Sequence, residues 1–218
     1  GNEGQQDLEY DLTPTYEVGT PFAPRNEKIN YTVSKVLNSQ LSKVDLTAST
    51  SASGSRDVVL NYDGDPSNAF GNANDGIQWR TAVVFRADML KDYVGMDLSS
   101  VEVFIGDGAV TSFEARVWQM GSYNVPGPGD LIASQAYTVT PNDWNLITLD
   151  TPVKLNGQDL WVGYYIEAPA NSFVASTDDG TNYNPDGSWI AFGPGWSHLG
   201  DGNPDYNLNW NIHAHLTG

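Results

Sequence analysis

Leu160-Trp161-Val162-Gly163-Tyr164-Tyr165-Ile166-Glu167 and, near the end of the chain, Trp210-Asn211-Ile212-His213-Ala214-His215-Leu216 are the stretches that decide the fold class. In the first, Leu160, Val162, Tyr164 and Ile166 alternate with a mixed set; in the second, Trp210, Ile212, Ala214 and Leu216 alternate with Asn211, His213 and His215. Successive side chains of an extended chain point to opposite faces, so a period of two gives each stretch one apolar face to bury. Both read as strands with a core on one side.

The same texture extends outward from them. Short β-rich runs bounded by Gly, Pro, Asn and Asp predict further strands at Asp57 to Tyr62, Trp79 to Arg86, Val101 to Gly106, Ser112 to Met120, Leu131 to Thr140, Asp143 to Asp150, Ser172 to Thr177 and Ser188 to Phe192, with the closing strand opening at Leu208. Only Ala87 to Tyr93 interrupts the series, as a helical turn. A parallel sheet needs crossover helices that this pattern lacks, so the fold class expected is all-β: an antiparallel two-sheet sandwich of jelly-roll type over residues 56–218. Residues 1–55 differ. Pro14, Pro21 and Pro24 punctuate a polar start and Thr47 to Ser55 is rich in Ser, Thr and Ala, which reads as an N-terminal extension or linker. Within it, Ile29, Val33, Val36, Leu37, Leu41 and Val44 recur at helical spacing and predict one helix from Glu27 to Lys43, although Tyr31-Thr32-Val33 suits a strand equally well.

Composition bounds the function. A net charge of −17 over 218 residues repels nucleic-acid backbones and anionic lipid surfaces, so neither is expected as a partner. The chain has no cysteine, hence no disulfide, thiolate nucleophile or zinc ribbon. No run approaches the length of a membrane span, and the polar start from Asn2 to Asp7 reads as the spacer after a removed export signal. Seven Trp, 11 Tyr and seven Phe supply a large apolar core.

A family pattern runs through Leu60-Asn61-Tyr62-Asp63-Gly64, Ala82-Val83-Val84-Phe85, Leu98-Ser99-Ser100-Val101-Glu102-Val103-Phe104-Ile105-Gly106 and Ala115-Arg116-Val117-Trp118. It continues in Pro128-Gly129-Asp130-Leu131-Ile132, Trp144-Asn145-Leu146-Ile147-Thr148-Leu149-Asp150, Leu160-Trp161-Val162-Gly163-Tyr164, Ser188-Trp189-Ile190 and Asn209-Trp210-Asn211-Ile212. In order and spacing this resembles an accessory β-sandwich module of secreted and surface proteins of Bacteroidetes, found beside adhesin-like, fibronectin-type and peptidase domains. The resemblance covers some three-quarters of the chain. It implies a non-catalytic module exported to the bacterial cell surface or beyond, acting in adhesion or binding, and brings no catalytic residues with it; a monomer is the expected state of the chain. The chain departs from the pattern where Asp63-Gly64-Asp65-Pro66-Ser67-Asn68 runs into an Asn-rich insertion to Gly76.

Read for chemistry, the residues offer little catalysis. The three histidines are His198, His213 and His215; Gly195-Trp196-Ser197-His198-Leu199-Gly200 lacks the spacing of a nucleophile elbow. His213 and His215 share one face of the last strand and could both reach one metal ion, but no third ligand is evident, and strand alternation alone places polar residues there. Asp178-Asp179 sits in a Gly/Asn/Pro loop, where solvated turn residues are expected. An Asp/Glu pair of this kind would serve the alternative function, a small carbohydrate-active hydrolase; a structural spacer domain is the other alternative. The only cofactor expected is a structural calcium ion in oxygen-rich loops, held by Asp201, Asn203 and Asp205 or by Asp63, Asp65 and the Asn68 to Asp75 cluster, residues that ordinary turns also favour.

Aromatic residues point to the ligand. Trp161, Trp189, Trp196 and Trp210 crowd the C-terminal part of the chain with Tyr183 and Tyr206 in its loops. Indole faces stack on sugar rings, so Tyr183, Trp189, Trp196 and Tyr206 are the expected ligand-binding residues for a glycan or a host or surface protein. No Lys or Arg follows Lys154, which predicts that anionic glycans bind poorly.

Overall fold

The computed structural model describes residues 34–35, 57–121 and 125–218. In chain order the strands are β1 (Ser34–Lys35), β2 (Val58–Leu60), β3 (Asn68–Asn72), β4 (Ile77–Phe85), β5 (Asp97–Ile105), β6 (Ser112–Gln119) and β7 (Leu131–Ala136). They continue with β8 (Asp143–Lys154), β9 (Leu160–Ala168), β10 (Ser172–Thr177), β11 (Trp189–Ala191), β12 (Ser197–His198) and β13 (Ile212–Thr217). A one-turn helix, α1 (Ala87–Leu90), continues into a 3-10 turn at Lys91–Tyr93, where a helical turn was expected.

Two antiparallel sheets pack face to face. The first runs β1-β3-β10-β5-β13-β2, with β8 also on β5; the second runs β12-β11-β4-β9-β6-β7. From β3 to β10 the strands therefore fall in the order 3-10-5-8 in one sheet and 4-9-6-7 in the other, the wrapped order of a jelly roll. The protein is an all-β antiparallel sandwich. Strand β5 is its axis: β8 lines one side, while β13 and the end of β10, through Ala175 opposite Ile105, share the other.

Alternation dictates the core. Val101, Val103 and Ile105 of β5, Val162, Tyr164 and Ile166 of β9, and Ile212, Ala214 and Leu216 of β13 all turn inward and are buried. Each large aliphatic side chain buried here contributes about 1.5–3 kcal/mol before entropy is counted. Trp210 caps this core, fully enclosed, and its indole N–H donates to the carbonyl of Trp189 at 2.9 Å. Gly163 in β9 is required sterically, since a Cβ there would fall 1.9 Å from the Thr81 carbonyl oxygen.

Three expectations change. The segment Asn68–Asn72, read as an Asn-rich loop, is strand β3, because Ala69 and Phe70 bury their side chains while the backbone pairs with β10. The closing strand opens at Ile212 rather than Leu208, since Leu208 to Trp210 join the loop by bonds such as Asp178 N–H to the Asn209 carbonyl. Of the helix expected from Glu27 to Lys43, Ser34–Lys35 instead form a strand whose backbone pairs with Ala69 and Asn68 at the edge of β3; its remaining residues lie outside the described residues. No helix among the described residues is long and apolar enough to cross a membrane.

Candidate functional site

The outward face of the second sheet is laid out in rows by its register. Gln78, Glu167 and Ser112 form one row, Arg80, Tyr165 and Glu114 the next, then Ala82, Gly163 and Arg116, then Val84, Trp161 and Trp118. Polar planar groups thus occupy one end and indoles the other. The Arg116 guanidinium lies 4.6 Å over the Tyr165 ring and pairs with Glu114 at 2.5 Å. The Tyr165 hydroxyl bonds to Glu167, and burial followed by that bond pushes the phenol pKa up.

At the indole end, Trp118, Trp161 and Trp189 pack with Ala82 and Val84 into a second apolar cluster on the outside of the sheet, and Trp196 covers it. Trp196 sits edge-on to Trp118 at 5.5 Å and to Trp161 at 5.9 Å. Gly127, at φ 120°, presses so close that a Cβ would come within 2.7 Å of the indole. The Arg80 guanidinium lies 5.4 Å over the Trp196 ring. Burial, then the neighbouring Arg116, lowers the Arg80 pKa from its usual value. Arg86 is held by Asp159 and Asp186 and Arg116 by Glu114, whereas Arg80 has no carboxylate partner among the described residues.

The four expected ligand residues do not make one platform. Trp189 is only 9% exposed, wedged between Trp161 and His198 with ring centroids at 5.0 and 3.9 Å, so its face is covered. Trp196 is half-buried on the outer cluster. Tyr206 instead packs edge-on to Phe70 of β3 at 5.3 Å, on the main core. Tyr183 is half-buried in the loop before β11, its phenol pKa raised by burial. Sequence reading missed Arg80, Tyr165 and Arg116 here, although their outward positions follow from the alternation of β4, β9 and β6.

Several of the oxygens assigned to calcium accept hydrogen bonds from their own chain. Asp201 accepts the His198 N–H at 2.9 Å, and Asn203 accepts the Asp205 N–H at 3.1 Å to cap a 3-10 turn, while Asp205 stays exposed. Asn72 accepts the N–H groups of Asn74 and Asp75, and Asp65 is exposed. The Asp63 side chain is fully buried and takes donors from Asn211 and His213. Among the described residues, the acids of neither loop converge as a three-ligand group.

A different cluster does converge, on the outward face of the first sheet. His213 of β13 stands in register opposite Glu102 of β5, and Glu102 Oε2 lies 3.0 Å from His213 Nδ1 and 3.1 Å from His215 Nε2. His213 Nε2 is 3.2 Å from Asp63 Oδ2. Trp144 stacks on the His213 ring at 4.3 Å. Hydrogen bonds from His213 and then His215 lower the Glu102 pKa to about 2 against the opposing effect of burial. For His213, burial pushes downward, but bonds to Asp63 and Glu102 outweigh it and raise the pKa to about 9.

No protein-family model and no curated protein matches this chain. Among solved structures, it is similar to a chain in the structure of the infectious bursal disease virus Gx strain, at 10% identity and a TM-score of 0.31, over 75% of this chain and 36% of that one.

Proposed function

We propose that this protein is a non-catalytic binding module of a bacterial surface or secreted protein, and that it recognises a glycan on the outward face of its second sheet. The observation that carries this reading is Arg80, a half-buried guanidinium without a carboxylate partner among the described residues, set over Trp196 and in register beside Tyr165. Planar donors and acceptors from Arg80, Gln78 and Glu167 match paired sugar hydroxyls, and the half-buried Tyr165, with Arg116 over one face of its ring, offers the rest of that ring to the apolar side of a sugar. The rows rest on paired strands, so the groups are held before a ligand arrives and little ordering entropy is lost on binding.

The two guanidinium groups also change which sugars fit. They come from β4 and β6, far from the aromatic loops in sequence; Arg80 brings positive charge to Trp196, while Arg116 stands over Tyr165 with Glu114 beside it. At physiological salt the Debye length is about 8 Å, so the distant acids are screened while Arg80 acts locally. Acidic sugars therefore belong among the ligands tested.

Calorimetry against neutral and uronate-bearing polysaccharides tests the reading. Arg80→Ala and Tyr165→Ala are each expected to weaken binding by about 1–3 kcal/mol with the fold intact. Trp196→Ala is a poorer probe, because it uncovers Trp118 and Trp161. Retained affinity in both variants would move the site elsewhere, absence of any binding across the panel would favour a spacer, and turnover of a bound glycan would make the protein an enzyme.

A further inference from the structure

We propose that His213, His215 and Glu102 form a binding site for one divalent first-row transition-metal ion, with Asp63 as the residue that orients His213. The site lies on the outward face of the first sheet and is independent of the glycan face on the second.

Three features converge on it. The first is spacing. An ion bound tetrahedrally at about 2.0–2.1 Å holds its ligand atoms roughly 3.3 Å apart. The Glu102 carboxylate stands 3.0 and 3.1 Å from the two imidazole nitrogens, and all three ligand atoms lie within 4.8 Å of one another. The two Glu102 distances are within a few tenths of an ångström of that spacing, and the two imidazole nitrogens, within 4.8 Å of each other, close on an ion by side-chain rotation. The second is orientation. A metal-bound imidazole commonly gives its other N–H to a carboxylate, which fixes the tautomer. Asp63 stands 3.2 Å from His213 Nε2 and takes its N–H, so Nδ1, 3.0 Å from Glu102, is the nitrogen whose proton an incoming ion would displace. Asp63 is itself fixed, fully buried and bonded by the Asn211 amide at 2.7 Å. The third is rigidity: both histidines rise from one strand, Glu102 from its paired neighbour, and Trp144 holds the plane of the His213 ring.

The donor set selects the class of ion. Two imidazole nitrogens with one carboxylate suit zinc, cobalt, nickel or copper rather than calcium, which takes oxygen ligands. The ligands are only half-buried, so further coordination positions open toward solvent.

Zinc and cobalt chlorides, titrated into the tag-free, chelator-treated full chain, are the probes. The expected result is one ion per chain by calorimetry. The chain has three histidines, so zinc should shift the imidazole resonances of His213 and His215 and leave those of His198 in place. His215→Gln should abolish stoichiometric binding at concentrations that saturate the parent chain. Asp63→Asn should weaken it by about 10–100-fold while the cobalt spectrum keeps its form, because Asp63 acts through His213. The NMR arm needs no variant, so it stands even if a substitution unfolds the protein. Absence of zinc and cobalt binding would overturn the proposal and leave a cluster held by a proton alone. So would binding that moves His198 instead, or binding unchanged in His215→Gln.

Discussion

Asp178 joins three separate pieces of chain. Its carboxylate accepts the N–H of Gly180 at 3.0 Å, the N–H of Asn209 at 2.8 Å, the Asn209 side-chain amide at 2.7 Å and the N–H of Gly64 at 3.3 Å. The residue is buried, and so is Asn209, so the Asn209 N–H would otherwise be desolvated without a partner and its side-chain amide would keep only the Asn182 carbonyl. Asp178→Ala should therefore destabilise the fold by about 3 kcal/mol, read as a lowered urea midpoint. Asp179→Ala should leave the midpoint unchanged, because that neighbour is fully exposed and bonds only to the adjacent Thr181. In the sequence the two aspartates look alike. A loop rich in Asp, Gly and Asn predicts solvated turns at both positions, and that holds for Asp179 alone. The difference comes from Asn209, 31 residues further on, which no local pattern connects to Asp178.

Strand β13 carries the clearest case at the next scale. Its alternation is legible in the sequence, and His213 and His215 do emerge opposite Ile212 and Ala214. Glu102 was not legible as their partner, because it lies 111 residues from His213 and meets it only through the β5–β13 register. The pairing makes stability depend on pH in the chelator-treated protein. His213 is raised from 6.5 to about 9, so its stabilisation is full below pH 6.5 and is lost as the pH rises through 9. Glu102 is lowered from 4.5 to about 2, so its share is present above pH 4.5 and is lost as the pH falls through 2. Both shifts describe one bonded pair and are counted once. Urea midpoints measured across this range should decline on the alkaline side, and His213→Gln should flatten that limb. Strand β3 was misread for a converse reason: Phe70 is the one large apolar side chain among five residues, and pairing with β10 supplies what periodicity lacks.

Across the whole molecule, the two ends of the sandwich module meet. Strand β13 sits between β5 and β2, so residues at the C-terminus close a sheet begun near Val58. A chain ending at Trp210 should not fold cooperatively, since it strips the inner edge of β5 and removes Ile212, Ala214 and Leu216 from the core. Loss of near-UV circular dichroism and of a sharp urea transition would register this, and a native-like transition would contradict it. The outer tryptophan cluster shows how far folding can redirect a reading. Trp189 looks like a platform residue in a loop-rich segment, yet β11 pairs with β4 and turns that ring onto Trp161. By itself the amino-acid sequence determined the all-β class, most strand positions, the inward faces of β9 and β13 and the acidic character. These depend on alternation, turn residues and charge count, which are properties of neighbours in the chain. Only the tertiary structure decided that Arg80 lies over Trp196, that Asp178 is buried, that β3 is a strand and that Glu102 and Asp63 flank the histidines. Each of those contacts joins segments far apart in sequence, and register between distant strands is set by the whole set of core faces finding each other at once.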